Sequence, residues 1–247
     1  MPIEFVDSKI LKKTVQLGIR YAPFIDIEAD RDKLAEFAKH VRTTDRRTFN
    51  TYSFNKTAPN GMQSALLFER DVRLQGLGQM HHCPLVVFPD FAEIALIYKV
   101  AEAPNLEIDG RDRPRDEDFD TLMKSIMRQF FEKIDHVDVN RIGKVYDYIW
   151  GPFEEDAAEW LAQKFVRAPN NLPLTGGNVH FLSRIDSMNV NLQISSGMAP
   201  NGFVIQTRLD INNADNTQRI EHSNLNQILE FATRFHRERL RNLLAGE

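Results

Sequence analysis

A chain of 247 residues, 42% of them hydrophobic, is long enough for one large domain or two small ones with a full core. The net charge of −4 and the pI near 6.0 exclude a global electrostatic attraction to nucleic acid or to an anionic membrane. Cys83 is the single cysteine, which excludes an internal disulfide and favours a reducing compartment.

The sequence also lacks the signals of membrane insertion and secretion. No window approaches the ~18 consecutive apolar residues that a membrane-spanning helix needs. Residues 1–13 lack the apolar run of a signal peptide. We therefore expect a soluble cytoplasmic protein, bacterial in style, with no membrane partner.

The first half of the chain opens with a strand and a helix. Residues 15–21 alternate between apolar and polar or small side chains, which predicts a half-buried strand that ends before Pro23. Asp30 can cap a helix, because apolar residues follow it at helical spacing. Four further strands are predicted over residues 48–55, 62–72, 85–88 and 93–100.

Loops are predicted over residues 76–84 and 103–118, where glycine, proline and polar residues concentrate. Asp116 or Asp118 can cap the helix that follows. The apolar stripe of that helix is the cleanest amphipathic pattern in the chain and consists of Phe119, Leu122, Met123, Ile126, Phe130 and Ile134.

The second half of the chain repeats this order of events. A strand is predicted within residues 139–150 and a helix over 154–165, before a loop that contains Pro169 and Pro173. A meander of three strands and a final helix follow, over residues 179–185, 189–194, 203–212 and 223–244.

Two short similarities connect the halves. The tetrapeptide Ala-Pro-Asn-Gly occurs at residues 58–61 and 199–202, each time as a predicted hairpin turn before a strand. Residues 17–21, LGIRY, also resemble residues 142–146, IGKVY. These similarities raise the hypothesis of two diverged strand–helix–strands–helix repeats.

The predicted fold class is α+β, with a mainly antiparallel sheet or sheets and amphipathic helices packed on one face. The predicted halves are residues 1–136 and residues 137–247. They form either two units or one continuous domain joined through a single sheet.

Three segments carry a family resemblance: a first strand that enters residues 21–25, YAPFI; a long amphipathic helix followed by residues 139–149, VNRIGKVYDYI; and residues 207–212, TRLDIN, followed by a helix near Phe235. In these features the chain resembles a sporadically distributed family of uncharacterised bacterial proteins of about this length. The resemblance covers most of the chain, although Lys144 stands where family members often carry an apolar residue. It implies no activity and no cofactor.

Common catalytic signatures are missing from the sequence. It contains no GxxxxGK[ST] loop, no HExxH, no GxSxG and no CxxC. These absences argue against the usual nucleotide and metalloprotease mechanisms, and we expect no cofactor. An enzyme whose site residues are dispersed along the chain stays possible.

The densest group of candidate ligands or nucleophiles is His81-His82-Cys83. On a strand, His81 and Cys83 share a face and could belong to one metal or thiol site. Such a site needs distant partners, and the candidates are His40, His136 and His180. The favoured interpretation is that Cys83 is a buried structural cysteine. The weak catalytic candidates are therefore His81, Cys83 and His180.

An acidic group could hold a divalent cation, although helix capping explains it better; it comprises Asp109, Asp112, Asp116, Glu117, Asp118 and Asp120.

Arg234, Arg237 and Arg241 fall near one face of the last helix. They could bind phosphates or an acidic partner, but cations also complement a helix C-terminus.

Three aromatic residues share one face of the middle strand: Tyr146, Tyr148 and Trp150. Aromatic residues at this spacing favour a core position. If that face were open, they would form a stacking platform or a protein-binding surface.

The favoured function is a non-catalytic protein- or ligand-binding module, because an antiparallel sheet covered on one side leaves its other face for a partner. The partner is expected to be a protein, either a second copy or another chain. The alternatives are a hydrolase-like enzyme with dispersed residues that include His81 or His180, and nucleic-acid contact through the arginine-rich last helix.

Overall fold

The structure is a computed structural model that describes residues 3–44, 51–58, 61–69, 71–74, 78–82, 85–99, 116–166, 176–215, 217 and 219–245. In the first half, a short 3-10 helix, Asp7–Lys9, precedes the strand β1, Ile10–Ala22, and the helix α1, Arg31–Thr44. Six strands and a long helix follow: β2 Thr51–Thr57, β3 Gln63–Glu69, β4 Asp71–Leu74, β5 Gly78–His82, β6 Leu85–Val87, β7 Phe91–Lys99 and α2 Asp116–Lys133.

The second half begins with β8, Asp138–Phe153, and α3, Ala157–Leu161, which continues as a π-helical turn, Ala162–Val166. The remaining elements are β9 Gly177–Ile185, β10 Met188–Ala199, β11 Gly202–Asn213 and α4 His222–Ala245. In the described part of the chain, no helix combines the length and apolarity that crossing a bilayer requires.

All described strands belong to one antiparallel sheet, and nine of them form a continuous path in the order β2-β3-β6-β7-β1-β8-β11-β10-β9. The β4–β5 hairpin joins this path through pairing of β5 with β7. Because β1 pairs with β8, the sheet is continuous across the two halves. The fold class is therefore α+β with a mainly antiparallel sheet, as predicted.

The four helices pack on one side of the sheet, which we call the helix face. Alternation along the strands directs one set of side chains to this face, for example Val15, Leu17 and Ile19 of β1, which are all buried. Phe37 of α1 and Phe130 of α2 stack edge to face in this core, with ring centroids 5.6 Å apart. The opposite side of the sheet is the open face.

The joint between the halves is centred on two glycines. Gly18 of β1 pairs directly with Gly143 of β8, and Leu17 pairs with Lys144 as Ile19 pairs with Ile142. The similar segments 17–21 and 142–146 are thus antiparallel neighbours related by a local two-fold axis. This arrangement is compatible with a duplication, which stays a hypothesis.

The two Ala-Pro-Asn-Gly segments both connect hairpin strands, but the hairpins do not correspond. The first joins β2 to β3 at one end of the sheet, whereas the second joins β10 to β11 next to the central β8. Gly61 and Gly202 have φ angles of +82° and +136°, which explains why glycine closes each turn. The tetrapeptide therefore reflects turn chemistry and gives no support to the repeat.

Some predicted boundaries were wrong. Residues 78–82 form β5 inside the segment predicted as a loop. The helix predicted from residue 154 begins at Ala157, because the Asp156 carboxylate caps it by accepting hydrogen bonds from the backbone N–H groups of Ala158 and Glu159. Most of the loop predicted at 103–118 lies outside the described residues.

Candidate functional site

The open face of the second half is almost entirely polar. The alternation that buries one side of β10 and β11 directs polar residues to the other side, and β9 continues the same alternation with exposed or half-buried side chains. Over residues 178–184, 189–195 and 206–212, the side chains on this open side are Asn178, His180, Leu182 and Arg184 on β9; Asn189, Asn191, Gln193 and Ser195 on β10; and Gln206, Arg208, Asp210 and Asn212 on β11. We call this set the polar face; Leu182 is its single apolar member, and Asn212 is its one buried member.

A groove with a cavity volume of about 340 Å³ lies beside the polar face, where it meets the central strands β1 and β8. Lys12 and Thr14 of β1 and Asp147 of β8 line one side. Gln193 and Arg208 line the other side. The groove thus brings two cations, a carboxylate, a hydroxyl and an amide to one place.

Asp147 and Arg208 form the ion pair at the centre of the groove. Arg208 Nη1 donates to both carboxylate oxygens, at 3.3 and 3.1 Å. Burial raises the pKa of Asp147, and the charge and hydrogen bond of Arg208 oppose that rise. The ion pair therefore keeps a partly desolvated carboxylate in the centre of an otherwise open surface.

Hydrogen bonds between side chains hold the rest of the polar face in place. Asn189 Nδ2 donates to Asn212 Oδ1 at 3.2 Å, and Asn212 Nδ2 donates to Asp210 Oδ1 at 3.2 Å. His180 Nε2 shares a hydrogen bond with Asn191 Oδ1. These contacts restrict the rotamers of the amides, so the face presents donors and acceptors at fixed positions.

The open face of the central strands carries a second partly buried acid. Gln16 Nε2 of β1 donates to Glu93 Oε2 of β7 at 2.5 Å. Burial raises the pKa of Glu93, and the hydrogen bond from Gln16 opposes that rise.

Beyond β7 the open face becomes apolar. A second apolar cluster, distinct from the main core, consists of Ala58, Leu67, Val86 and Phe88, with Phe91 packed against it. The rings of Phe88 and Phe91 stack with centroids 4.3 Å apart. The polar face therefore does not extend over β6 and β3.

The helix face contains a buried charged group that sequence analysis did not anticipate. Lys144 is fully buried, and its Nζ donates to Asp120 Oδ1 of α2 and, at 3.1 Å, to Thr233 Oγ1 of α4. Thr233 Oγ1 donates to the second oxygen of Asp120 at 2.7 Å. Lys144 thus links β8 to one helix from each half, which explains a lysine at a position where an apolar residue would be expected.

The aromatic residues of β8 are buried on the helix face and do not form an open platform. Tyr146 and Trp150 are almost fully buried, and Tyr148 is 5% exposed. His236 of α4 stacks on Tyr146 with ring centroids 3.8 Å apart and shares a 2.6 Å hydrogen bond with the Tyr148 hydroxyl. These residues fix α4 on the sheet.

The remaining sequence candidates do not come together. Arg234, Arg237 and Arg241 are exposed on α4, and Glu230 and Glu238 alternate with them. Arg234 and Arg237 line a groove of about 760 Å³ that also contains Asp186, Glu230 and Glu238. The mixed charge of this groove does not make a phosphate-binding surface.

The candidate metal and thiol residues are only partly described. The backbone of His81 pairs with Tyr98 within β5 and β7, whereas Cys83 lies outside the described residues. His136 contacts Asp30 at 3.1 Å, and His180 lies on the opposite side of the sheet. Within the described ranges, no three His, Cys, Asp or Glu side chains lie close enough to bind a metal ion.

The acidic group near α2 is dispersed. Asp109 and Asp112 lie outside the described residues, and Asp116 and Asp118 fall within the first turn of α2. Asp120 faces Lys144.

Comparisons with known proteins give no family for this chain. No family model matches it, and no curated protein matches it. One solved structure is similar, the crystal structure of A. aeolicus tRNASec in complex with M. kandleri SerRS, with 10% identity and a TM-score of 0.25. The match covers 94% of this chain and 32% of the other, and it is too weak to support an inference about fold or function.

Proposed function

We propose that this protein is a non-catalytic binding module and that the polar face, together with its groove, is the binding surface. The observation that carries the proposal is the contrast between the two sides of one sheet. The helix face is closed by four helices, whereas the open face of the second half presents pre-positioned hydrogen-bonding groups around a 340 Å³ groove.

The surroundings of the titratable groups support binding over catalysis. His180 shares its hydrogen bond with an amide oxygen, where a general base would be oriented by a carboxylate. Asp147 is paired with Arg208, which limits the rise that burial causes in the pKa of Asp147 and occupies both carboxylate oxygens. Both groups are thus engaged by recognition-type hydrogen bonds.

The composition of the polar face favours a partner that offers neutral hydrogen-bonding groups. Asparagine and glutamine amides both donate and accept hydrogen bonds. The charges on the face and in its groove are mixed, since Lys12, Arg184 and Arg208 lie beside Asp147 and Asp210. A peptide or another polar ligand fits this chemistry better than a phosphate backbone, which requires an excess of cations.

The proposal is tested by comparing two surface variants in affinity capture from a lysate of the source organism. Arg208→Ala combined with Gln193→Ala removes the ion pair and an amide from the groove. Arg128→Ala is the matched control, because this arginine is 73% exposed on α2, on the other side of the sheet.

We expect a set of binding partners, quantified by mass spectrometry, that the wild type and the Arg128→Ala control retain and the groove variant loses. Partners retained equally by all three proteins would contradict a role for the polar face. A wild type that retains no partner would contradict the binding function itself.

A further inference from the structure

The strand β9 ends the sheet and is regular along its whole length. Among the described strands it pairs with β10 alone, and the register runs without a break from Gly177 to Ile185. It contains neither proline nor lysine. A regular strand with a free edge is a template for pairing with a further strand.

The strand at the other end of the sheet, β2, carries features that discourage such pairing. Asn55 has a positive φ of +49° in the middle of the strand, and Lys56 follows it. The Arg42 guanidinium lies 5.6 Å from the centre of the Tyr52 ring. Backbone irregularity and edge cations are the usual protection of an edge strand; β9 is regular and carries one cation, Arg184, next to its last residue.

Large apolar side chains are exposed on both sides of β9. Leu182 is 75% exposed on the open face, and Phe181 is 41% exposed on the helix face. Because successive side chains point to opposite sides, a strand added at this edge would cover both of them.

The helix layer above β9 is filled at the start of the strand and open at its end, so the two ends could fit each other. At the start of the strand, Leu161 of α3 packs so closely that a Cβ on Gly177 would lie 2.8 Å from it, and the ring of Phe165 lies 5.5 Å from that of Phe181. At the end of the strand the layer opens into a groove of about 530 Å³. This groove is lined by four apolar residues, Ile185, Phe231, Phe235 and Leu243, and by three charged ones, Arg234, Glu238 and Arg239.

We propose that β9 pairs antiparallel with β9 of a second copy of this chain, across a two-fold axis at Leu182, and that the protein is a homodimer. In this register Leu182 faces the second copy's Leu182, and Val179 faces the second copy's Ile185. Antiparallel pairing places the start of one β9 beside the end of the other. The π-helical turn of each copy, with Phe165, then lies beside the groove of the other copy, where four apolar side chains are available to it.

This end-to-end match selects a second copy as the occupant. A strand from an unrelated protein could form the backbone hydrogen bonds at this edge. Nothing in such a strand would be expected to fill the groove or to cover Leu182. The dimer also joins the two polar faces into one surface, because a two-fold axis perpendicular to the sheet keeps both open faces on the same side.

The first experiment is the sedimentation of Leu182→Lys beside Met198→Lys. Met198 is 77% exposed on β10, so it is a matched exposed apolar residue on an inner strand. We expect the wild type and Met198→Lys to sediment at twice the 28.5 kDa chain mass at micromolar concentration. Two facing lysines should raise the dimer dissociation constant of Leu182→Lys at least tenfold, which corresponds to about 1.4 kcal/mol. A monomeric wild type, or equal dimerisation of all three proteins, overturns the proposal.

The second experiment fixes the register by oxidative cross-linking in a Cys83→Ser background, which removes the single native cysteine. Leu182→Cys should form a covalent dimer, since the two sulfurs face each other across the axis. Phe181→Cys, which lies opposite Ser183, and Met198→Cys should link at least tenfold more slowly. A faster reaction at residue 181 or 198 overturns the register. Leu182 belongs to the polar face, but sedimentation and cross-linking are measured on the purified protein alone, so their outcome can be distinguished from the capture of a partner by that face.

Discussion

The two halves share one sheet but differ in how the helices cover it and in the side chains on its open face. In the first half α1 packs against α2, and the opposite side of the strands carries a second apolar cluster. In the second half α3 is five residues long and barely contacts α4, so a groove opens between α4 and the end of β9. The opposite side of these strands carries the polar face.

This difference shows how one architecture can separate stability from recognition. The first half buries apolar side chains on both sides of β3 and β6, which anchors that part of the sheet. The second half buries few residues on its open side, among them Val204 and Asn212, so most residues there contribute little to folding and are available to bind. The predictions below test this separation from the largest expected effect to the smallest.

Lys144→Ala tests the contact of Lys144 with Asp120 of α2 and Thr233 of α4, which links helices from both halves. The substitution leaves the partly buried Asp120 carboxylate without its cation and truncates a fully buried side chain, and we expect a loss of about 3 kcal/mol in the free energy of unfolding. Urea unfolding of the variant and the wild type measures this loss.

The control for this prediction replaces both partners. Lys144→Met combined with Asp120→Leu removes the buried charges together, and its stability should lie within about 1.5 kcal/mol of the wild type. A double variant as unstable as Lys144→Ala would show that packing, and not the unpaired charge, causes the loss.

Leu67→Ala and Asn191→Ala compare the open face in the two halves. Leu67 is buried in the second apolar cluster, and its truncation should cost about 3 kcal/mol. Asn191 lies on the polar face, and its truncation should change stability by no more than about 0.5 kcal/mol. Urea unfolding measures both, and similar losses at the two positions would refute the separation of roles.

Gly18→Ala and Gly143→Ala test the paired glycines at the joint. A Cβ on Gly18 meets no atom within 4 Å, so alanine there should leave stability unchanged or raise it slightly. A Cβ on Gly143 would lie 3.1 Å from Cβ of Asn212, and alanine there should cost about 1 kcal/mol. Thermal unfolding distinguishes the two variants. Equal unfolding midpoints would contradict the expected clash and would mean that β11 shifts away from position 143 without a measurable cost.

The smallest expected effect is a pH dependence from Asp147 and Glu93. Burial raises the pKa of both carboxyls in the folded protein, so the folded state holds their protons more tightly than the unfolded chain does. Their contribution to stability is therefore lost as the pH rises from the ordinary carboxyl range through the raised values.

The double variant Asp147→Asn, Glu93→Gln should not show this loss. We would measure urea unfolding at a series of pH values from acid to neutral and subtract the curve of the variant from that of the wild type. The difference should fall as the pH rises, and a flat or rising difference would contradict the direction of the shifts.

Much of the fold followed from local sequence patterns. Alternation located β1, β8, β10 and β11, and apolar spacing located α2 and α4, because each element exposes one side and buries the other. The strand β5 was missed because its residues, GQMHH, carry no alternation, and it is held by pairing with β7.

The candidate site was only partly predictable. An open sheet face was expected, and its residues are the polar members of the alternating strands, such as Arg208 and Asn191. The pairing of Arg208 with Asp147 depends on the neighbouring positions of β11 and β8, which sequence spacing does not show. The partnership of Lys144 with Asp120 and Thr233 was missed for the same reason, since it joins three distant segments.

The pairing of β1 with β8 also sets the order in which the molecule can assemble. β1 ends at Ala22 and β8 begins at Asp138, so one edge of a thirteen-residue strand must wait for a partner that is synthesised more than a hundred residues later. Contacts this distant in sequence slow folding and leave an aggregation-prone edge in the nascent chain. A fragment that stops at residue 136 would keep that edge permanently, which makes truncation at the midpoint a poor way to isolate either half.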